Sequence, residues 1–261
     1  MSLFFVFLNP MKILFISDTH TFQRELIHLP EADVICCSGD FCLRGEFEEG
    51  LSFIKWFSEL PYKHKVFIAG NHDICFDSTH KRFEYFQKIY KDYKGEFIED
   101  ITQKIPKGVH YLMKSEVVID GVKFWGAPYT PWFHNWAFNL PRDSEEIREV
   151  WAQIPEDVDV LLTHGPAFKI LDYTFEGLFV GCESLAEKLN SLKPPIFSFG
   201  HIHESYGYNF VSYPESEKIT LAINSSVVNR RYWVINPPVL VEYDKKTGVK
   251  KVIDYISVTN N

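Results

Sequence analysis

The sequence predicts an α/β layered fold in which two sheets lie face to face with helices outside. Three observations carry this. Apolar runs rich in β-branched and aromatic residues recur along the chain, amphipathic helical patterns lie between several of them, and short polar motifs close the runs. With 261 residues the chain is long enough for one large core. No repeat, low-complexity stretch or linker rich in Gly, Ser or Pro divides it, so 1–261 reads as a single domain.

Met1–Leu8 is almost wholly apolar. It lacks a positively charged start, is short, and has no small-residue cleavage site before the next strand, which argues against a signal peptide. Residues 1–10 read as a variable leader or an added edge strand, with Met11 as an alternative start. The strand runs Lys12–Ile16 and Asp33–Cys37 are too apolar to alternate, the pattern of strands covered on both faces. Phe47, Leu51, Ile54 and Phe57 then fall on one face of a helix that Pro61 stops, and Glu46–Glu49 forms its acidic first turn. A strand follows at Lys65–Ala69. The rhythm breaks at Val109–Val122, where short runs meeting at Asp120-Gly121 read as a hairpin into the strand Val122–Gly126. Val158–Thr163 is the next strand. Leu185 and Leu189 mark a helix stopped by Pro194, and Ile196–Phe199 is again strand-like. Further runs lie at Ile219–Ile223, Val239–Tyr243 and Val249–Ile256, the last two joined by a turn at Lys245–Gly248.

Composition narrows the function classes. A hydrophobic content of 46% excludes global disorder. The net charge of -8 argues against a partner such as long nucleic acid, which needs clustered Lys and Arg. No stretch reaches the roughly 18 apolar residues of a membrane span. The five cysteines, Cys36, Cys37, Cys42, Cys75 and Cys182, are odd in number and form no C-x-x-C pair. They predict reduced, buried thiols and a cytoplasmic location.

The strand ends carry the chemistry. In order they supply Asp18-x-His20, Gly39-Asp40, Gly70-Asn71-His72-Asp73, Thr163-His164-Gly165 and Gly200-His201-x-His203. Each motif alone is weak; all five behind apolar runs form a strong signal. Loops leaving the carboxyl ends of strands gather at one rim of an α/β sheet, so motifs distant in sequence can converge there. Asp18 and His20, two apart on an extended chain, would point the same way, as would His201 and His203. The preceding glycines leave room where the backbone turns. Asp and Asn oxygens with His nitrogens, and no thiolate, suit two divalent ions: Mn first, with Fe, Zn, Co or Ni as alternatives. Asp40 would bridge ions roughly 3.5–4 Å apart, with a hydroxide between them as nucleophile. His72, directly after Asn71, should turn toward the leaving group and donate a proton, with Asp73 orienting its ring or holding it protonated.

The pattern D-x-H, G-D, G-N-H-[DE], H-G and G-H-x-H resembles the calcineurin-like metallophosphoesterase superfamily over nearly the whole chain. Ile68-Ala-Gly-Asn-His-Asp73, Gly126-Ala-Pro-Tyr-Thr-Pro-Trp-Phe133, Phe138-Asn-Leu-Pro-Arg142, Thr163-His-Gly-Pro166 and Asn236-Pro-Pro238 resemble its metallophosphoesterase-domain branch of cyclic-nucleotide phosphodiesterases. The resemblance implies a four-layer α/β/β/α sandwich of two mixed sheets. It implies a first metal on Asp18, His20, Asp40 and His203 and a second on Asp40, Asn71, His164 and His201. It also implies hydrolysis of a small phosphodiester or nucleotide substrate. The alternatives are a phosphomonoesterase, including a protein phosphatase, with the same metals, and a non-catalytic metal-binding scaffold. The aromatic run Tyr129–Phe138 could stack a nucleotide base, pack a lid or form an oligomer contact.

Overall fold

A computed structural model describes residues 10–254. The leader reading of residues 1–10 falls almost wholly outside them. In chain order the elements are β1 (Met11–Ile16), β2 (Val34–Cys37), α1 (Phe47–Glu59), β3 (His64–Phe67), α2 (Phe83–Lys94), β4 (Val109–Tyr111), β5 (Ser115–Ile119), β6 (Val122–Ala127) and β7 (Thr130–Pro131). There follow β8 (Asn139–Leu140), α3 (Glu145–Ala152), β9 (Val160–Thr163), α4 (Glu183–Leu192), β10 (Ile196–Phe199), β11 (Gly207–Tyr213), β12 (Ser216–Asn224), β13 (Val239–Asp244) and β14 (Gly248–Asp254).

Two six-stranded mixed sheets result. One runs β14-β13-β1-β2-β3-β4 and the other β11-β12-β10-β9-β6-β5. Side-chain alternation along the central strands explains the layering. Val34 and Cys36 of β2 face the other sheet, together with Val160 and Leu162 of β9 and Ile13 and Phe15 of β1. Ile35 and Cys37 turn the opposite way, onto α1 residues Phe53, Ile54 and Phe57. On the far side Leu161 and Phe197 meet Trp151 of α3 and Leu185 and Leu189 of α4. The order helix, sheet, sheet, helix is the four-layer sandwich.

Caps fix the helices. Glu49 reaches back from the first turn of α1 to accept the amides of Arg44, Gly45 and Glu46, at 2.9, 2.8 and 3.2 Å. Gly95 closes α2 in the left-handed region at φ 73°.

Three features differ from expectation. The turn at Asp120 (φ 48°) and Gly121 (φ 85°) does join β5 to β6, both residues having the positive φ of a tight hairpin. β4, however, lies outside this hairpin and pairs parallel with β3 in the other sheet. β11 has no strand-like apolar run because most of it faces solvent, and α2 hides only Phe83 and Phe86. Among the described residues no helix is long and apolar enough to cross a membrane.

Candidate metal centre

The parallel strands of both sheets deliver the motifs to one rim. From the first sheet, β1 leads to Asp18 and His20, β2 to Asp40, and β3 to Asn71 and His72; from the second, β9 leads to His164 and β10 to His201 and His203. Asp18, His20 and His203 offer ligand atoms within 4.8 Å of one another, as do Asp40, His164 and His201. Asn71 Oδ1 lies 2.9 Å from His164 Nε2, and Asp40 Oδ2 lies 3.2 Å from the same nitrogen. Asp40 Oδ2 is also 3.8 Å from His20 Nε2, so its carboxylate stands between the two groups. His72 forms a third group with His20 and Asp40.

The convergence is achieved by kinked backbone, a correction to the extended-chain reading. Asp18 (φ 55°), His20 (φ 42°), Asp40 (φ 54°) and His201 (φ 69°) all occupy the left-handed region, and His203 already starts a short helical turn. Such conformations cost about 1–3 kcal/mol each and cluster at functional sites. The amide of His20 donates to Asp40 O at 3.0 Å, and that of Asp18 to Gly39 O at 2.9 Å, tying the first two kinks together. His201 N donates to both Asp18 oxygens at 3.0 and 3.1 Å, which fixes the third.

Glycine is required where these kinks meet. A Cβ on Gly39, itself at φ 95°, would lie 2.6 Å from Ala69 O and Gly70 N. A Cβ on Gly200 would overlap Asp18 Oδ2 and Ser17 Oγ. Gly200→Ala is therefore expected to displace Asp18, costing about 1–3 kcal/mol of stability together with metal affinity. A melting curve and a metal titration check this.

The donor set fits divalent ions. His20 Nδ1 meets Cys42 O at 2.9 Å and His164 Nδ1 meets Ser38 O at 2.8 Å. A carbonyl only accepts, so both Nδ1 atoms carry a proton and each Nε2 is left facing the centre, that of His20 with a free lone pair and that of His164 with a proton a cation would displace. His20 Nε2 and His203 Nε2 face each other at 3.2 Å, an approach that a shared cation would satisfy.

Burial sets the charges. His20 is fully buried, which pushes its pKa down to about 3 despite the pull of Asp40 and Asp18. Burial also opposes a charge on His164, but the Asp40 carboxylate outweighs it and raises that ring to about 9. Without metal, then, His20 stays neutral in the folded chain while unfolded His20 takes a proton near pH 6.5. The unfolded state binds more protons between these values, so stability falls as pH drops below about 6.5, by up to ~1.4 kcal/mol per pH unit from this group. Burial lowers His201 to about 3 as well, so chelated protein is expected to lose melting temperature between about pH 6.5 and 4, above the carboxylate range, and His20→Asn should make that limb about half as steep.

Around the ligand-type residues stands a supporting set. Asp73 does not orient His72, which corrects the role read from their adjacency. Its carboxylate accepts the amides of Asp40, Cys42 and Gly70 at 2.9, 2.8 and 2.7 Å, clamping two motif loops together. Burial and the Asp40 charge push its carboxyl up, and the amides of Cys42 and Gly70 pull it back. His72 is oriented by Leu43 O, 2.8 Å from Nδ1, and by the indole of Trp136 stacked 3.9 Å from its ring. Arg82 lies over the ring of Trp136, 5.0 Å from its centroid. Trp136 is thereby taken up in the aromatic loop, while Trp132 and Phe133 stay exposed beside His201. Asn224 holds Ile202 O at 2.8 Å, bracing the loop between His201 and His203. Tyr232 sets its ring edge-to-face against His20 and His203, with centroids 4.8 and 5.4 Å apart. Asn224 and Tyr232 carry no sequence signal as site residues, whereas Trp136 lies in the aromatic run and stacks on His72, not on a base. The other histidines, His28, His64, His80, His110 and His134, belong to none of the three groups.

The same architecture is found in known proteins. The calcineurin-like phosphoesterase family model matches residues 11–205. The chain belongs to this family. Metallophosphoesterase domain-containing protein 1 of Homo sapiens is 36% identical over 235 residues, covering 87% of this chain and 69% of that protein. A UPF0046 protein of Caenorhabditis elegans is 33% identical over 237 residues, covering 91% and 77% respectively. A solved structure from Thermus thermophilus shares the fold, with a TM-score of 0.56 at 12% identity over 94% of this chain and 99% of its own. The family uses a dinuclear divalent metal centre, and this chain is a metal-dependent phosphoesterase with clusters able to hold such ions.

Proposed function

We propose that the protein hydrolyses small phosphodiesters, cyclic nucleotides first among them, with two divalent ions, Mn before Fe, Zn, Co or Ni. The observation that supports this best is the meeting of Asp18, His20, Asp40, Asn71, His164, His201 and His203 on one rim, with His72 at its edge. Two ions bound there supply Lewis acidity at the phosphoryl oxygens and acidify the attacking water.

The side chains orient and protonate. Leu43 O holds the Nδ1–H of His72, so Nε2 is the atom left to serve the departing ester oxygen. As imidazolium it donates that proton; as neutral ring it is reset from solvent, on which the half-buried position opens. Trp136 keeps the ring plane fixed during this exchange. Asp40 N and Gly70 N, held on Asp73, keep the Asp40 and Asn71 loops in register.

Diesters are favoured by the cleft that opens beside His201 and His203, about 400 Å³ in volume. Its only cationic side chains other than histidine, among the described residues, are Arg142 and Arg230. Arg142 is spent on Gly181 O, Val180 O and Glu183, and Arg230 on Glu176, Glu204 and the face of Phe175. Neither is left to meet the second negative charge of a phosphomonoester. Free, buried cysteines suit a reducing cytoplasm, the compartment we infer.

The test is hydrolysis of bis-p-nitrophenyl phosphate and of p-nitrophenyl phosphate by chelator-stripped protein, before and after Mn, with bound metal counted by elemental analysis. Diester turnover restored at about two ions per chain is the expected result. Monoester turnover alone would make the protein a phosphomonoesterase, and two bound ions without turnover would make it a scaffold.

A further inference from the structure

Tyr232 has a backbone that its side chain disfavours. It sits at φ 60°, a left-handed conformation that is an outlier for a bulky residue. The chain is nevertheless locked there. Asn229 Oδ1 accepts the amides of Arg231 and Trp233 at 2.8 and 3.2 Å, and Tyr232 N donates to Asn229 O at 2.8 Å. Asn236 anchors the root of the same loop by donating to Ser226 O at 2.9 Å and Val228 O at 3.2 Å. What this costly turn delivers is an aromatic ring against both His20 and His203, at the wall of the cleft.

His20 is thus flanked by two rings, His72 at 4.7 Å and Tyr232 at 4.8 Å, both edge-to-face. His72 has a place in the reaction as proposed above, and Tyr232 has none. Its hydroxyl makes no hydrogen bond with another described residue, although the ring is half-buried. A phenol is a neutral donor at physiological pH, its ordinary pKa being about 10. It can hydrogen-bond a phosphoryl oxygen without bringing a positive charge.

We propose that Tyr232 is a substrate-contacting residue that selects singly charged phosphodiesters, its phenol donating to a phosphoryl oxygen; this rests on the phosphodiesterase reading above. A cation in its place would reward the dianion of a monoester, as Arg and Lys do wherever phosphate monoesters are clamped. A neutral donor, beside arginines already committed elsewhere, gives the dianion no such advantage. The strained turn is then kept for the contact it makes.

The experiment uses the Mn-loaded full chain and its Tyr232→Phe variant, with Tyr232→Asn as a second variant because Asn tolerates left-handed backbone. Three quantities are read: metal content, the Kd for inorganic phosphate by calorimetry, and kcat/KM on bis-p-nitrophenyl and p-nitrophenyl phosphate. Tyr232→Phe is expected to keep its metals and melting temperature and to bind phosphate about tenfold more weakly. It should also lose about tenfold or more in kcat/KM on the diester, with a smaller loss on the monoester. Unchanged phosphate affinity with an unchanged ratio of the two esters would overturn the proposal. If the wild type acts on monoesters alone, the diester reading and the selective role fall together. The phosphate Kd then decides separately whether Tyr232 touches the anion at all.

Discussion

Asp40→Asn is expected to cost the protein its metals and, with them, at least a thousandfold in turnover. The carboxylate lies between the two groups of ligand-type side chains, 3.2 Å from His164 Nε2 and 3.8 Å from His20 Nε2, and only 2% of it is exposed. One negative charge shared by two dications in such a site is worth several kcal/mol, since a unit pair at 4 Å gains about 4 kcal/mol at an effective dielectric constant of 20. Asn keeps the shape and gives that up. The carboxylate also supports the fold without metal. Burial pushes the Asp40 carboxyl up, and its low pKa is maintained by His164, His72 and His20 around it. Asp40 also repels the neighbouring Asp18 and Asp73. The pull of the histidines outweighs that repulsion, so removing this carboxylate strips the buried His164 ring of its counter-charge. Elemental analysis should therefore show Asp40→Asn depleted of metal, and calorimetry of the chelated proteins at neutral pH should find the variant less stable than the parent.

His72→Ala should separate chemistry from metal binding. Its Nε2 makes no hydrogen bond with another described residue, and its own amide, which the substitution leaves in place, donates to Asp40 Oδ1 at 2.7 Å. The variant is accordingly expected to hold two ions and to lose about 10²–10⁴-fold in rate, the usual range for a general acid. The loss should depend on the leaving group. A p-nitrophenolate departs with little help, whereas an alkoxide needs its proton, so the deficit should widen from nitrophenyl to alkyl esters. Full activity of His72→Ala on a poor leaving group would end the general-acid role.

Much of the fold can be read in the chain because β1, β2, β9 and β10 are covered on both faces, which forces runs such as Val34–Cys37 to be apolar throughout. β11 and α2 escape notice for the converse reason: one is largely solvated, and the other meets the core through two phenylalanines. The site divides along a similar line. Asp18, His20, Asp40, Asn71, His164, His201 and His203 stand out because a metal centre draws on few residue types and needs glycines beside them to admit the kinks. Asn224 and Tyr232 do not, and the aromatic run does not single out Trp136 within it, because bracing Ile202, bordering His20 and stacking on His72 depend on distances that close only after folding. Asp73 shows how adjacency misleads: one residue from His72, its side chain turns inward to three amides.

The two sheets of the sandwich contribute unequally to the rim, four ligand-type residues following β1, β2 and β3 and three following β9 and β10. A cation held there would work as a rivet driven through both plates. The far end has its own fixed point, where Tyr243 of the first sheet donates to Asp159, just before β9 of the second, at 2.8 Å, and between the two ends the sheets adhere through apolar packing. Catalyst and fastener are then the same object, so a cell that starves the protein of metal weakens its frame as well as its chemistry.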